Sequence, residues 1–322
     1  MKTIRKRGIS AFLFLSLLMS ATLVSAQGAI VASGKYITKN VKVSGFDRIQ
    51  LKGSPTIEYT QSSGGTKVQV TGSDNLVDLI ECRVEGSTLI VNTNISYGKA
   101  GRLKVLVSSP SLRSAFLQGS GDIYLGNLKA EELEVSLAGS GDIVAGDVTC
   151  NGDFSALLKG SGDIDVKGQI RAKSVSLTLQ GSGDLNVVGV TGSEISAMLQ
   201  GSGDLKVRSA YTTSTVTAKL SGSGDMDVLG IRANNVAAQL AGSGDMTLSG
   251  STRDATLVLS RSGELNARKL DAENVTARVN GSGDITCVAT KTLVTNIQGS
   301  GEISYKGNPS VRSTGKNHLN RL

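Results

Sequence analysis

Aromatic and imidazole side chains are scarce in this chain of 322 residues. Tryptophan is absent, phenylalanine and tyrosine together make up 3% of the chain, and His318 is the single histidine. Binding by stacking on sugar rings or nucleobases therefore has few residues to draw on. A lone histidine also argues against Ser-His-Asp catalysis and against histidine-ligated metals. Proline supplies only 3 residues and glycine 40, but a hydrophobic fraction of 39% without a Gly-X-Y period excludes collagen and glycine-rich disorder.

Cysteine is rare as well, with Cys82, Cys150 and Cys287 as its three occurrences. These residues are far apart and include no Cys-x-x-Cys pair, which argues against a disulfide framework and against a zinc site. One long-range disulfide in an oxidising compartment stays an alternative. The spacing favours the other interpretation, in which the three are small apolar residues.

The first 26 residues have the pattern of a secretory signal peptide. A basic start at Lys2 and 5–7 precedes an apolar run over 11–24, and small residues then lead to Ala26. We predict cleavage between Ala26 and Gln27. The apolar run is shorter than the ~20 residues that a membrane span needs, so an uncleaved anchor is disfavoured and no span is expected after cleavage.

Removal of this segment changes the charge of the chain. The segment holds four basic and no acidic residues, so the formal net charge falls from +7 to +3 (30 basic minus 27 acidic). The remaining charge is spread along the chain, whereas nucleic-acid binding needs a concentrated basic surface, and no such partner is predicted. We expect an exported protein, located in the periplasm, on the outer surface or outside the cell.

One motif, Gly-Ser-Gly-Asp (GSGD), dominates the rest of the sequence. Ten copies recur at steps of 18 to 21 residues, averaging (299−119)/9 = 20. The eighth copy reads Arg-Ser-Gly-Glu and the tenth ends in glutamate. The copies start at Gly119, Gly139, Gly160, Gly181, Gly201, Gly222, Gly242, Arg261, Gly281 and Gly299.

The flanks of each copy alternate between apolar and other residues with period 2. Around the fifth copy, for example, Ile195, Ala197 and Leu199 precede the motif, and Leu205 and Val207 follow its aspartate. A period of 2 indicates strands rather than helices. Each unit is therefore predicted to be two short strands joined at Gly-Ser-Gly, followed by a less regular third stretch.

A unit of about 20 residues cannot bury its apolar side alone, so neighbouring units must stack and share a core. The constant step predicts an all-β fold, a parallel β-helix (solenoid) with coils of ~20 residues. An up-and-down barrel or a sandwich is the alternative, but antiparallel hairpins favour two-residue turns and variable strand lengths. The predicted divisions are a signal peptide at 1–26, an irregular start or cap at 27–110, the regular β-helix at 111–309 and a disordered tail at 310–322.

Degenerate copies extend this pattern upstream. The stretch 49–59 alternates on both sides of Gly53-Ser54, the stretch 68–76 does so around Gly72-Ser73, and Val105, Val107 and Ser109 fit more loosely. We interpret these stretches as irregular coils of the same stack, which protect its first edge.

Several segments of the chain resemble the bacterial family described as "putative auto-transporter adhesin, head GIN domain", secreted proteins of largely unknown function. The resemblance runs from Val43–Ile49, through Leu103–Leu112, into the GSGD copies, and so covers most of the mature chain. It implies a right-handed parallel β-helix similar to the pectin-lyase class of folds, and a role in adhesion. It implies no catalytic residues.

The acidic residues that close the motifs form the main candidate site. In a β-helix equivalent positions stack about 4.8 Å apart. Closely spaced carboxylates suit calcium, but each aspartate can instead accept hydrogen bonds within its own turn, and we favour that interpretation. The candidate cation ladder consists of Asp122, Asp142, Asp163, Asp184, Asp204, Asp225, Asp245, Glu264, Asp284 and Glu302.

The glycines of the motif have a structural explanation. A tight corner needs glycine for positive φ and for the close approach of successive coils. A phosphate-binding loop is disfavoured because no helix follows the motif and no lysine recurs after it. No cofactor is predicted other than calcium as an alternative.

The functional prediction is a secreted, non-enzymatic, adhesion-type protein that presents a repetitive surface to a protein or glycan of the cell envelope or the surroundings. The alternative is a polysaccharide lyase or glycoside hydrolase on a pectin-lyase-like β-helix, which rests on fold analogy. Such enzymes need a cleft built by irregular loops, whereas these copies are uniform. Arg261, in place of a glycine, and Tyr211, in a longer connection, are the visible irregularities, and we interpret both as surface variation.

Overall fold

The computed structural model describes residues 30–93, 103–314 and 318–322. The predicted signal peptide, with its cleavage site between Ala26 and Gln27, lies outside these residues. The described chain is nearly all β, and its single α-helix, α1, spans Asp74–Val77. None of its helices is both long enough and apolar enough to pass through a bilayer.

The strands follow one another in chain order as β1 Tyr36–Val41, β2 Arg48–Leu51, β3 Thr56–Gln61, β4 Lys67–Ser73, β5 Glu81–Glu85, β6 Thr88–Asn92, β7 Lys104–Ser109, β8 Ser114–Leu117, β9 Ile123–Leu125, β10 Leu128–Ala130, β11 Leu133–Leu137, β12 Ile143–Ala145, β13 Val148–Cys150, β14 Asp153–Leu158, β15 Ile164–Arg171, β16 Ser174–Leu179, β17 Leu185–Thr191, β18 Glu194–Leu199, β19 Leu205–Val207, β20 Ala210–Tyr211, β21 Thr215–Leu220, β22 Met226–Leu240, β23 Met246–Arg261, β24 Glu264–Gly281, β25 Asp284–Gly299, β26 Ile303–Lys306, β27 Ser310–Thr314 and β28 Leu319–Arg321.

Each regular coil contributes a strand to each of three parallel stacks, which we call faces A, B and C. Face A contains the strand before each GSGD motif: β8, β11, β14, β16, β18, β21, the last parts of β22 to β25, and β27. Face B contains the strand after it: β9, β12, the first parts of β15 and β17, β19, the first parts of β22 to β25, β26 and β28. Face C contains β10, β13, the last parts of β15 and β17, β20 and the middle of β22 to β25. The third stretch, irregular in sequence, is thus a third strand.

The coils stack in register, which confirms the predicted β-solenoid of about ten turns. On face A, for example, β16 aligns with β18 residue by residue over six pairs, from Ser174 opposite Glu194 to Leu179 opposite Leu199. The predicted strand parity is correct, because the alternate residues that point inward are buried. The leucines two places before the motif form one column with 0–1% exposure through the core: Leu117, Leu137, Leu158, Leu179, Leu199 and Leu220.

The N-terminal part joins this stack through β2 and β3, and β6 and β7 extend the parallel pairing on their other side, whereas β1, β4 and β5 pair antiparallel. β2 pairs in parallel with β8 and β3 pairs in parallel with β9, so the degenerate copy at 49–59 is a coil, as predicted. The copy at 68–76 is not a coil, because β4 runs antiparallel to β1 and β7. The chain after Ser73 turns into α1, which buries the adjacent residues Leu76 and Val77, and a strand cannot direct two neighbours to one side.

The C-terminal residues differ from the predicted disordered tail at 310–322. Ser310–Thr314 (β27) pairs in parallel with the last part of β25, and Leu319–Arg321 (β28) pairs with β26. The segment is polar and largely exposed, as its sequence indicates. The prediction of disorder is wrong for these strands because the preceding coil offers a row of backbone N–H and C=O groups, which accept a further strand whatever its side chains.

Candidate functional site

The GSGD motif forms the corner between faces A and B, and its glycines are required by stacking. Of the motif glycines in the described chain, only Gly281 and Gly299 have positive φ, so the predicted left-handed backbone does not explain the other copies. A Cβ at Gly203 would fall deep inside the contact distance of the Gly183 carbonyl oxygen, and the same clash recurs at the other corners. Successive corners therefore stack backbone on backbone, which only glycine permits.

Arg261 is the exception among the motif's first residues. Its φ is 106°, and within the described chain it is the one non-glycine residue with positive φ. Its side chain is exposed, and its carbonyl oxygen accepts hydrogen bonds from Ser282 N–H at 3.0 Å and Gly283 N–H at 2.9 Å. The backbone at Arg261 therefore adopts a strained conformation, in which this corner keeps its hydrogen bonds to the next coil although the residue carries a side chain.

The acidic column is part of the hydrogen-bond ladder between coils. Asp122 Oδ1 accepts from the N–H of Asp142 at 3.0 Å, and the pattern continues coil by coil to Glu264 and again from Asp284 to Glu302, at 2.7–3.1 Å. The predicted bond within each carboxylate's own turn is wrong, because the donating amide belongs to the following coil. Each of the eight aspartates of the column therefore links two coils and satisfies an amide that the corner leaves unpaired, whereas Glu264 and Glu302 take part through their N–H groups.

One member of the column is also an ion-pair partner. Lys206 Nζ lies 2.9 Å from Asp204 Oδ2. Its hydrogen bond, followed by one from the N–H of Asp225, lowers the pKa of the Asp204 carboxyl below its usual value. Among the residues that the structure describes, no group of three His, Cys, Asp or Glu side chains converges as a metal site would. Calcium binding by the column stays an untested alternative.

The cysteines are unpaired thiols in the structure. Cys150 and Cys287 are 6% and 1% exposed, and Cys82 is half-buried. Burial raises the pKa of the Cys287 thiol to about 12 and that of the Cys150 thiol to about 11. Two thiols with such values are poor nucleophiles at neutral pH, which fits a packing role.

A groove with hydroxyl-bearing walls runs along the start of face A. Its volume is about 630 Å³, and it crosses four coils from Asp153 to Thr217. The hydroxyl groups of Ser155, Ser176 and Ser196 stand in register along it. Polar and shallow, this groove can offer hydrogen bonds to a polar partner.

Face C carries a positively charged surface in these coils. We call residues 167–173, 188–193, 208–213, 229–234 and 249–253 the basic surface, because they contain six Lys or Arg residues and no Asp or Glu. In the same coils, face B and the corner that precedes it hold seven aspartates between Asp163 and Asp245, of which Asp165 and Asp227 lie within the strands of face B. In these coils stacking has therefore concentrated basic residues on face C, and acidic residues return one coil later, where Asp271 follows Ser251 in register and Glu273 lines an adjoining depression.

Tyr211 lies near the centre of the basic surface. It belongs to β20, where it is 49% exposed and pairs in register with Arg232 of the next coil. Two adjoining depressions of about 620 and 410 Å³ share these two residues. Sequence analysis singled out Tyr211 but missed Arg232. Parity extended from the buried residues Ala210 and Ile231 would have placed both side chains outside.

The sequence matches the model of the family described as "putative auto-transporter adhesin, head GIN domain" over residues 45–230 and again over 212–309. No curated protein matches the chain.

Solved structures with similarity to the chain include a putative adhesin from Bacteroides fragilis NCTC 9343, with 25% identity, coverage of 91% of this chain and 96% of that one, and a TM-score of 0.34. A protein described as putative lipid binding from Parabacteroides distasonis ATCC 8503 has 23% identity, coverage of 92% and 100%, and a TM-score of 0.39. A putative adhesin from Parabacteroides merdae ATCC 43184 has 17% identity, coverage of 91% and 99%, and a TM-score of 0.41.

Proposed function

The chain belongs to the putative auto-transporter adhesin, head GIN domain family, and from that premise we propose that it is an exported, non-enzymatic adhesion protein. Its solenoid would act as a rigid rod whose faces bind a protein or glycan of the cell envelope or the surroundings. Ten coils at about 4.8 Å each give such a rod a length of about 50 Å.

The observation that carries this proposal is the shortness of the connections between strands. From Ser114 to Thr314 the strands are joined by segments of two to five residues, such as 126–127 and 118–122. No loop in that range is long enough to rise over a face, so the outward side chains form continuous surfaces. A flat, repetitive surface suits adhesion, whereas a glycan-cleaving enzyme needs a cleft in which catalytic groups are held around the substrate.

The test measures retention of the purified protein by cell envelopes, extracellular matrix and whole cells. We expect saturable retention on at least one of them, and retention no greater than that of an unrelated β-protein of equal size would contradict an adhesive role. A parallel screen on uronate-containing and neutral polysaccharides tests the enzyme alternative. Turnover above ~1 per second would establish it.

Export is tested by fractionating the cells that produce the protein and sequencing the N-terminus of the mature chain. We expect Gln27 as the first residue, in the periplasmic, surface or extracellular fraction. Recovery of a chain that still begins with Met1 would contradict export through a cleaved signal peptide.

A further inference from the structure

We propose that the basic surface of face C binds an acidic polysaccharide laid along the solenoid axis, with Tyr211 against a sugar ring and Arg232 on a carboxylate or sulfate group. This inference rests on the proposed adhesive function, for which it names the chemistry of the partner. It concerns one face, so adhesion through another face would survive its failure.

The two central residues stand side by side and point outward. Tyr211 and Arg232 are aligned on adjacent parallel strands, about 4.8 Å apart along the stack. The column of paired positions that contains Tyr211 and Arg232 continues to Thr191 on one side and to Ser251 on the other. Both of these neighbours have short side chains. The phenol ring and the guanidinium therefore rise above their neighbours, and both are accessible from one side.

The charges of the surface are available to a ligand. Of its six cations, Lys167 pairs with Asp165 and Arg253 pairs with Asp254, both at 2.8 Å. The other four form no ion pair within 4.0 Å in the part of the chain that the structure describes, and they are Arg171, Lys173, Arg208 and Arg232. Unpaired guanidinium groups offer two parallel N–H donors each, a geometry that matches carboxylate and sulfate oxygens.

The spacing of these cations suits a polymer. Arg171 lies in the same column as Tyr211, two coils earlier, and Arg232 lies one coil later. Arg171 and Arg232 are therefore about 14 Å apart along the axis, three steps of the stack. A chain molecule that carries repeated acidic groups can reach both, whereas one small anion can reach only one.

Two open surface depressions adjoin the ring and the guanidinium, and Glu273, which pairs with Lys291 at 2.6 Å, lines the smaller one. The two depressions share Tyr211, Arg232 and Ser251, and Gly230 and Gly250 form part of the larger one. Glycine at these places adds no side chain, so a ligand can approach the backbone. A bilayer would instead select a surface with apolar side chains for insertion. Here Val188 and Tyr211 are the large hydrophobic residues that are well exposed.

The experiment compares the binding of polygalacturonate, dextran sulfate and neutral dextran to the purified protein by calorimetry at low and moderate salt. We expect both acidic polymers to bind, more weakly as salt increases, and neutral dextran not to bind. Arg232→Gln and Tyr211→Ala should each weaken binding about tenfold. Arg278→Gln is the matched control, because Arg278 is an exposed arginine on face A with no ion pair among the described residues, and it should change affinity less than about twofold.

Several outcomes would overturn the inference. They are equal binding of neutral dextran, no binding of either acidic polymer, and equal losses in Arg232→Gln and Arg278→Gln. Binding confined to vesicles of phosphatidylglycerol or to a DNA duplex would also overturn it and would assign the surface to another class of partner. Arg232→Glu provides a second variant, in which reversed charge should abolish binding while circular dichroism and the melting temperature stay unchanged.

The same variants in the envelope-retention assay separate the two proposals. If the wild-type protein is retained and Arg232→Gln is retained equally, face C is not the adhesive surface but the adhesive function holds. If the wild-type protein is not retained at all, the adhesive function itself fails, whatever the polysaccharides show.

Discussion

Replacing Gly203 by alanine tests whether the corner glycines are needed for stacking. The new Cβ would meet the carbonyl oxygen of Gly183, and these two corners would have to separate by about 1.5 Å to restore an ordinary contact. Since backbone atoms stand on both sides, no side chain can rotate away to make room. Overpacking of this kind costs about 1–3 kcal/mol by itself.

The separation would also break hydrogen bonds between the corners. Asp204 N–H donates to Asp184 Oδ1, and Leu185 N–H donates to the Asp204 carbonyl oxygen, both at 2.9 Å. An extension by about 1.5 Å takes both beyond hydrogen-bond range, which costs about 1 kcal/mol each. We therefore expect Gly203→Ala to lower the free energy of unfolding of these coils by about 3–5 kcal/mol.

The assay is amide hydrogen exchange with a matched glycine. Gly126→Ala puts a Cβ at 3.6 Å from the carbonyl oxygen of Tyr59, an ordinary contact, and Gly126 has no positive φ. It should be neutral or stabilising by about 0.4–1 kcal/mol. Gly203→Ala should accelerate exchange about a thousandfold in peptides around residues 180–225 and leave the first coil unchanged. Equal effects of the two substitutions, or uniform acceleration along the chain, would refute the stacking explanation.

Three further substitutions address the core, the strained corner and the acidic column. Leu199→Asp buries an unpaired charge and should lower the free energy of unfolding, measured by urea denaturation, by several kcal/mol. Lys206→Ala removes a partly exposed ion pair and should lower it by less than about 0.5 kcal/mol. Equal losses in the two variants would contradict the strand parity. Arg261→Gly should stabilise by about 1 kcal/mol, seen as a rise of a few degrees in Tm, because released strain exceeds the added chain entropy; a lower Tm would show that Arg261 is not strained. The depressed pKa of Asp204 means that its stabilisation is present at neutral pH and is lost as pH falls below its usual value of 3.8, so Asp204→Asn should reduce the loss of stability between pH 7 and pH 3. Asparagine keeps the acceptor oxygen, so we expect Asp204→Asn to have near-wild-type stability at pH 7. Calcium should leave the Tm of the wild-type protein and of this variant nearly unchanged. A rise in Tm of more than ~10 °C with calcium would establish a metal ladder.

Strand parity around the motif was sufficient to predict faces A and B. Leu199 and Leu205 are buried as the alternation requires, because each strand has only two sides and one of them faces the core. The same rule did not reach face C, since its stretches lack a repeated motif and vary by one or two residues between coils. Parity gives the outward position of Arg232 only once Ile231 is known to be buried, and it is the structure that shows this burial.

The hydrogen-bond partners of the acidic column could not be read from the sequence. A carboxylate at a corner can accept from its own turn or from the next coil, and the two choices use the same residue types. Only the stacking distance decides, and it brings the amide of Asp142 to Asp122 Oδ1. The polar tail shows the same limit, because its side chains indicate disorder while the backbone of β25 supplies the pairing.

The register of the coils also sets an order for folding. Paired positions in neighbouring regular coils are about 20 residues apart in sequence, as with Leu179 and Leu199, while β2 pairs with β8 and β3 with β9 across 66 residues, 114−48 and 123−57. Loop-closure entropy grows as (3/2)RT ln n, so the longer closures cost about 1 kcal/mol more each. Short, equal loops favour nucleation within the regular coils, from which pairing can extend in both directions. The antiparallel strands of the N-terminal end then join a stack that has already formed.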